Sequence, residues 1–309
     1  MATTDNMALQ YFVESTWGET SPSPAPTLQK LLINSESLTT AFNTIESEAV
    51  VGDRQVQEIT RVGRICEGDI VTELTYANLD DFFRGALASD WDSGTGIMEN
   101  ASDLVSYGIE KNFTDLGIFY RFSGCRVGTL SVAMELQSII TGTIGIMGKG
   151  GIFASSTFGD GSPTAATTNP RMVTLSSLTL NEAGGSMACP TSFTFQTDNE
   201  LRERRCLGAD DISGINLGIF RVTGTMEAYF ESRTYVDKIV ADTPTDFEIV
   251  AQDADGNSYT FTFPRAKFTT LDGPGNTGRS QDVMQTLGWT AYMDPSTDIT
   301  MSIARSAGP

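Results

Sequence analysis

One strand–turn–helix unit occurs twice in this chain, and the two copies lie almost half its length apart. The first copy is Glu67 to Trp91, EGDIVTELTYANLDDFFRGALASDW. Within it Ile70, Thr72, Leu74 and Tyr76 point one way, and Val71, Glu73 and Thr75 the other. This period of two predicts a half-buried strand. Asn78 is the expected N-cap of a short helix, with Asp80 and Asp81 in the first turn, where the helix dipole favours negative charge. Leu79, Phe82, Phe83, Ala86 and Leu87 fall at helical spacing. The second copy begins at Thr223, TGTMEAYFESRTYVDKIVADT, with Ser232 as the expected cap and Tyr235, Val236, Ile239 and Val240 as apolar helix positions. Glu73 aligns with Glu227, Tyr76 with Phe230, Phe82 with Val236 and Arg84 with Lys238, all at an offset of 154. In a chain of 309 residues this offset implies duplication of a domain of about 150 residues, an ordinary domain size.

Composition narrows the function classes. The chain has no histidine, which excludes Ser-His and Cys-His catalysis and histidine-based metal sites. Cys66, Cys125, Cys189 and Cys206 show no CxxC spacing, so they are expected as free, mostly buried thiols and not as zinc ligands. A net charge of −19 repels nucleic acid, a useful property where DNA must pass without sticking. Abundant Thr, Ser and Gly with short apolar runs favour a β-rich fold. No apolar stretch is long enough to predict a transmembrane helix, and Met1 to Asp5 lacks the pattern of a signal peptide.

Taken in order, residues 1–30 read as a polar arm, extended by Pro22, Pro24 and Pro26. Leu28 to Leu38 is an expected strand, and Glu46 to Arg64 a long hairpin or loop carrying Arg54, Arg61 and Arg64. After a polar connection at 92–107, strands are expected at Gly108 to Phe122, Leu130 to Ile139 and Thr143 to Met147, with a turn at Phe122 to Arg126. Residues 148–171, rich in Gly, Ser, Thr and Pro, are the expected linker. The second half has strands at Met172 to Leu180 and Phe193 to Gln196. A charged loop at 198–217 with Arg202, Arg204 and Arg205 follows, then a hairpin about Asp253-Ala-Asp-Gly-Asn. Gly288 to Met293 matches Gly142 to Met147 at an offset of 146. The expected organisation is an arm at 1–30, a first domain at 31–147, the linker at 148–171 and a second domain at 172–309.

Motifs for chemistry fail on inspection. Gly148-Lys149 lacks the earlier Gly and the following Ser or Thr of a phosphate loop. Asp253-Ala-Asp-Gly places its Gly too early for a calcium loop, and Pro264 stands where the bidentate Glu belongs. Asp80-Asp81 and Asp210-Asp211 are adjacent pairs; on a helix adjacent side chains point apart. No catalytic, cofactor-binding or metal-ligating set is expected, and the chain does not read as an enzyme.

The chain resembles the major tail tube proteins of long-tailed, siphovirus-type bacteriophages. The resemblance is carried by Tyr11-Phe-Val-Glu-Ser-Thr-Trp-Gly-Glu-Thr, Ser35-Glu-Ser-Leu, Asp53-Arg-Gln-Val and Glu73-Leu-Thr-Tyr with the helix after it. In the second half Gly224-Thr-Met-Glu-Ala-Tyr-Phe-Glu and Gly256-Asn-Ser-Tyr-Thr-Phe-Thr-Phe-Pro-Arg continue it. It implies a mainly β chain with two tandem tail-tube-like β-sandwich or partial-barrel domains, each flanked by a short helix. It implies a virion protein, made in the host cytoplasm, whose inner sheets join around a lumen and whose rings stack into a DNA conduit. The implied partners are further copies of itself, the tape measure protein, the tail terminator and the distal tail proteins, with no cofactor and no membrane. Two domains per chain suggest a trimeric ring of pseudo-sixfold shape; a hexamer of single enlarged domains is the alternative. A β-sandwich adhesin, receptor-binding or capsid decoration protein is the competing reading. On the tube reading, Asp53, Arg54, Arg61, Arg204 and Arg205 are expected at the ring-stacking interface. Glu73, Glu135 and Glu227 are expected to line the lumen, with Leu74, Phe230 and Met134 buried on the opposite face.

Overall fold

The alternating run at Ile70 is the end of a much longer strand, Ile59–Glu73. The computed structural model describes residues 6–50, 52–175, 178–187, 189–272 and 280–308. Ile70, Thr72 and Leu74 are buried as the period of two requires. The helix runs Asp80–Leu87, with Asp80 and Asp81 in its first turn and Phe82, Phe83, Ala86 and Leu87 fully buried. Each such aromatic or leucine contributes about 1.5–3 kcal/mol of transfer free energy. Asn78 does not cap this helix; Leu79 holds the cap position without a side-chain bond. The Asn78 amide is instead buried, accepting from Leu32 N at 3.1 Å and donating to Leu32 O and Thr72 Oγ1. It satisfies the backbone of a strandless segment, which is why the expected strand at Leu28 to Leu38 is reduced to Gln29–Lys30 and Ser35–Glu36.

Eight antiparallel strands form one continuous inner sheet. Their order is Thr39–Glu46, Ile59–Glu73, Thr141–Gly148, the end of Ile118–Glu135, Pro190–Asp198, Arg221–Tyr229, Met284–Ala291 and the end of Ser258–Asp272. Two of these strands also build the outer layer. The start of Ile118–Glu135 pairs with Tyr107–Phe113 and Gly150–Ala154, and Tyr107–Phe113 pairs with Met7–Val13. The start of Ser258–Asp272 pairs with Thr245–Gln252 and Ser302–Ser306. The expected turn at Phe122 to Arg126 is therefore a bend inside a strand. Gly124 makes it, at φ +64°, where a Cβ would lie 3.0 Å from the Trp17 ring. The turn about Asp253 is as expected, with its carboxylate accepting from Asp255 N and Asn257 N. The result is a mainly β sandwich whose sheets do not close into a barrel.

The same element order appears in both halves. A long-looped strand pair, a helix, a hairpin with a bent second strand and a returning strand run from Thr39 to Gly148, then again from Pro190 to Ala291. The halves share one hydrophobic cluster. Thr129 to Glu135 pairs with Ser192 to Asp198, and Ile97–Glu99 pairs with Ser302–Ser306. The first helix is wedged between the halves: Phe83 meets Tyr259 at 5.2 Å and Phe261 at 6.0 Å, both edge-on. Buried Asn199 donates to Gly85 O, Ala86 O and Val127 O. The second helix, Thr234–Val240, starts after Arg233 and not at Ser232, and it buries only Tyr235. Asp237 stands where Phe83 stands in the first copy, so this helix lacks the aromatic wedge and Val240 is 81% exposed.

Two further expectations change. Residues 148–171 are not irregular throughout, since Gly150–Ala154 pairs with Phe119 to Ser123. Of the cysteines, only Cys66 and Cys125 are buried; Cys189 and Cys206 are exposed.

Candidate assembly surfaces

Strand register gives the inner sheet two distinct ends. At one end lie Cys66, paired with Gly148, and Asp198, paired with Arg221. At the other lie Glu73, paired with Thr141, and Glu135, paired with Ser192.

Thr39–Glu46 and Ile59–Glu73 continue past the first end as a free-standing hairpin. Every described residue from Phe42 to Val62 is exposed, including Phe42, Ile45, Val50, Val56, Ile59 and Val62. An isolated two-stranded hairpin is marginal in water, and this one presents apolar side chains to it. At its tip Asp53 Oδ1 accepts from Gln55 N at 2.9 Å and Gln57 Nε2 at 3.3 Å. The Arg61 guanidinium lies over Phe42 at 5.2 Å. Arg54 is exposed and has no hydrogen bond or ion pair among the described residues.

The charged loop of the second half rises from the same end and contains its own strand pair, Arg202–Arg204 with Gly214–Asn216. Arg204 donates to Ser213 O at 3.3 Å, and Arg205 pairs with Glu203 at 2.8 Å. The two protrusions are tied together by Arg64, whose guanidinium grips the Asp211 carboxylate with two donors. That hydrogen bond raises the Arg64 pKa and holds the Asp211 carboxyl below its ordinary value.

One face of the inner sheet packs on the core, with Leu74 and Met134 buried. Phe230 does not join them. It lies beyond the last residue of its strand, Tyr229, and is 37% exposed. The opposite face is laid out in lateral rows by the register. One row is Glu73, Thr141, Ala133, Thr194, Thr225, Gly288 and Thr270; the next is Val71, Thr143, Ser131, Gln196, Thr223, Thr290 and Lys267. The middle of this face is thus small and rich in hydroxyls. Glu135, Ser192 and Glu227 form the row beyond Glu73. All three expected carboxylates therefore share one face near one end. Glu73 is partly neutralised by Arg171 at 2.9 Å, and Glu227 accepts from Thr191 Oγ1 at 3.3 Å.

The sheet is open at both sides. Residues 41–46 and 267–272 have no further strand on their outer edges among the described residues. Exposed edges of this length invite another strand. A half-buried acid elsewhere serves the fold. Glu14 accepts from Gly18 N, Ser106 Oγ and Gly124 N, and burial raises its pKa. No cluster of three or more Cys, Asp or Glu suited to a metal ion occurs among the described residues. No described helix is long and apolar enough to cross a membrane.

A family model described as phage tail tube protein matches residues 4–291. The chain belongs to the phage tail tube protein family. A search of curated proteins finds no match. A phage tail tube protein is a structural component of the virion tail, and the family is not one of enzymes.

Asp53, Arg54, Arg61, Arg204 and Arg205, named from the sequence, lie on the two protrusions, and Glu73, Glu135 and Glu227 lie on one sheet face. The sequence reading passed over Arg64 as a tie between the protrusions, the apolar side chains of the hairpin and the hydroxyl-rich face. The threonines had a signal, since Thr141 and Thr143, and Thr223 and Thr225, alternate with apolar or small residues in strand spacing.

Proposed function

We propose that copies of this chain join edge to edge into rings and that the rings stack into the tail tube, the conduit through which DNA leaves. The observation that carries this reading is the inner sheet: eight strands, one face uncovered, both edges open. Joining the open edge at 267–272 of one copy to the opposite side of the next copy's sheet, on the Ile59–Glu73 flank, removes both edges, and closure around a ring removes them all. Each half, 31–147 and 172–309, is then one tube domain. Three chains supply six domains, so the ring is a trimer of pseudo-sixfold shape; six chains would make a far wider barrel.

The uncovered face lines the lumen. Its threonine rows carry one cation, Lys267, at the edge and paired with Asp242, and Glu73, Glu135 and Glu227 repel phosphate near one mouth. The protrusions at the other end, with Asp53, Arg54, Arg61, Arg204 and Arg205, meet the adjacent ring. The tape measure protein, the tail terminator and the distal tail proteins are the partners inside and at the ends of such a tube, and synthesis is in the host cytoplasm. Electron cryomicroscopy of assembled protein tests the reading. Hollow tubes with three chains per ring are expected. Six chains per ring removes the trimer, and protein that forms no tubes removes the assembly reading.

A further inference from the structure

Resting on the tube reading, we infer that the apolar hairpin of one copy seats in a pocket at the opposite end of the sheet in the next copy. The pocket has a volume of about 340 Å³ and lies where the end of Ile118–Glu135 meets Leu178–Glu182 and Pro190–Asp198. Met134, Leu178, Met187 and Phe193 form its wall, and Leu136 and Leu175 stand on its rim, 58% and 74% exposed. It opens beside Glu135, whereas the hairpin leaves from the end marked by Cys66.

Three features single out a second copy as the occupant. First, hairpin and pocket lie at opposite ends of one sheet, the pocket about three strands (~15 Å) to the side of the hairpin, so a translation along the strands with a turn about the tube axis brings them together. Such head-to-tail contacts repeat without closing and build filaments. Second, the reach is sufficient. Ile59 lies seven residues before Cys66, about 20 Å of strand beyond the body, and Glu73 lies seven residues after it, so the hairpin is as long as the sheet is tall. Third, the surfaces complement each other. Val50, 98% exposed, and Val56 match an apolar pocket, and Arg54 has no carboxylate partner among the described residues. Glu135 stands on the pocket wall without an ion pair among the described residues. In the stack, Glu135 then receives Arg54 at the junction of wall and lumen.

Two double variants test the fit. Leu136→Asp with Leu175→Asp charges the pocket rim, and Val50→Asp with Val56→Asp charges the hairpin. Each variant is expected to melt like the parent and to lose at least tenfold in sedimentable tube. Mixed together, they are expected to give short capped assemblies, because each keeps one working end. Normal tubes from the Leu136→Asp, Leu175→Asp chain, with loss confined to the hairpin variant, would overturn the pocket while leaving the tube reading intact. Failure of the parent chain to form tubes would instead count against the tube reading itself. Where a charged variant misfolds, Val50→Cys with Leu175→Cys, in a chain with Cys189→Ser and Cys206→Ser, decides the matter. Added diamide should then produce an interchain ladder in intact tubes, and no ladder overturns the inference.

Discussion

Arg64, on the hairpin strand of the first half, donates through Nη2 to Asp211 Oδ2 in the loop of the second half at 2.9 Å. This pair fixes the two protrusions relative to each other. Because Arg64 holds the Asp211 carboxyl below its ordinary value, the stabilisation is fully present above the ordinary carboxylate range and is lost as pH falls through the folded value. Both side chains are 27% exposed, so screening limits the effect. Arg64→Ala is expected to cost about 1 kcal/mol at pH 7. Urea unfolding should show that the difference from the parent shrinks below pH 4. An undiminished difference at pH 3 would assign it to packing.

The two helices should differ sharply in weight. Phe83→Ala removes the ring wedged against Tyr259 and Phe261 and is expected to destabilise by about 3–5 kcal/mol. Val236→Ala, on the half-exposed second helix, should cost less than about 1 kcal/mol. Denaturant midpoints compare them directly, and equal losses would contradict the exposed setting of the second helix.

Tyr259 links the halves through its hydroxyl, which accepts from Ala77 N at 2.9 Å and donates to Asp80. Tyr259→Phe keeps the ring and strands both partners. A loss of about 1–3 kcal/mol is expected by thermal or urea unfolding. A neutral result would mean that water replaces the hydroxyl.

Lumen placement is open to labelling. With Cys189 and Cys206 changed to serine, cysteine at Thr225 or Glu227 should react readily with a bulky polyethylene glycol maleimide in the free subunit. In intact tubes the reaction should slow at least tenfold. Equal rates in the two states would put that face on the outer wall.

Charge at the protrusions should govern stacking. Arg54→Glu with Arg204→Glu changes two exposed side chains that make no ion pair among the described residues. The monomer is expected to stay folded by circular dichroism and to stop elongating. Tubes of normal length would remove these arginines from the stacking contact.

Much of this architecture was legible because strand alternation and the recurrence of one unit are written in local residue order. Ile70, Thr72 and Leu74 were buried where the period of two put them, and Phe82 and Phe83 where helical spacing did. The errors came from long-range contacts. Asn78 had the chemistry of a cap, but the unpaired backbone of Leu32 claimed its amide. Gly124 read as a turn because glycine also permits a bend inside a strand. Among the site residues, the alternation gave the face of Glu73, Glu135 and Glu227. Only cross-strand register could show that they gather near one end. Phe230 matched Tyr76 in sequence, yet its strand stops one residue short of it.

The connection between the halves is covalent, but it is not what holds them together. Gly161 lies in an exposed stretch at φ +84° with open space around it, while the strands on either side of the connection are locked into the shared core. Backbone cleavage there would remove a tether and leave the mortar. The two fragments would separate on a denaturing gel and still migrate as one particle in buffer. A protease could therefore nick every subunit of such an assembly without loosening it.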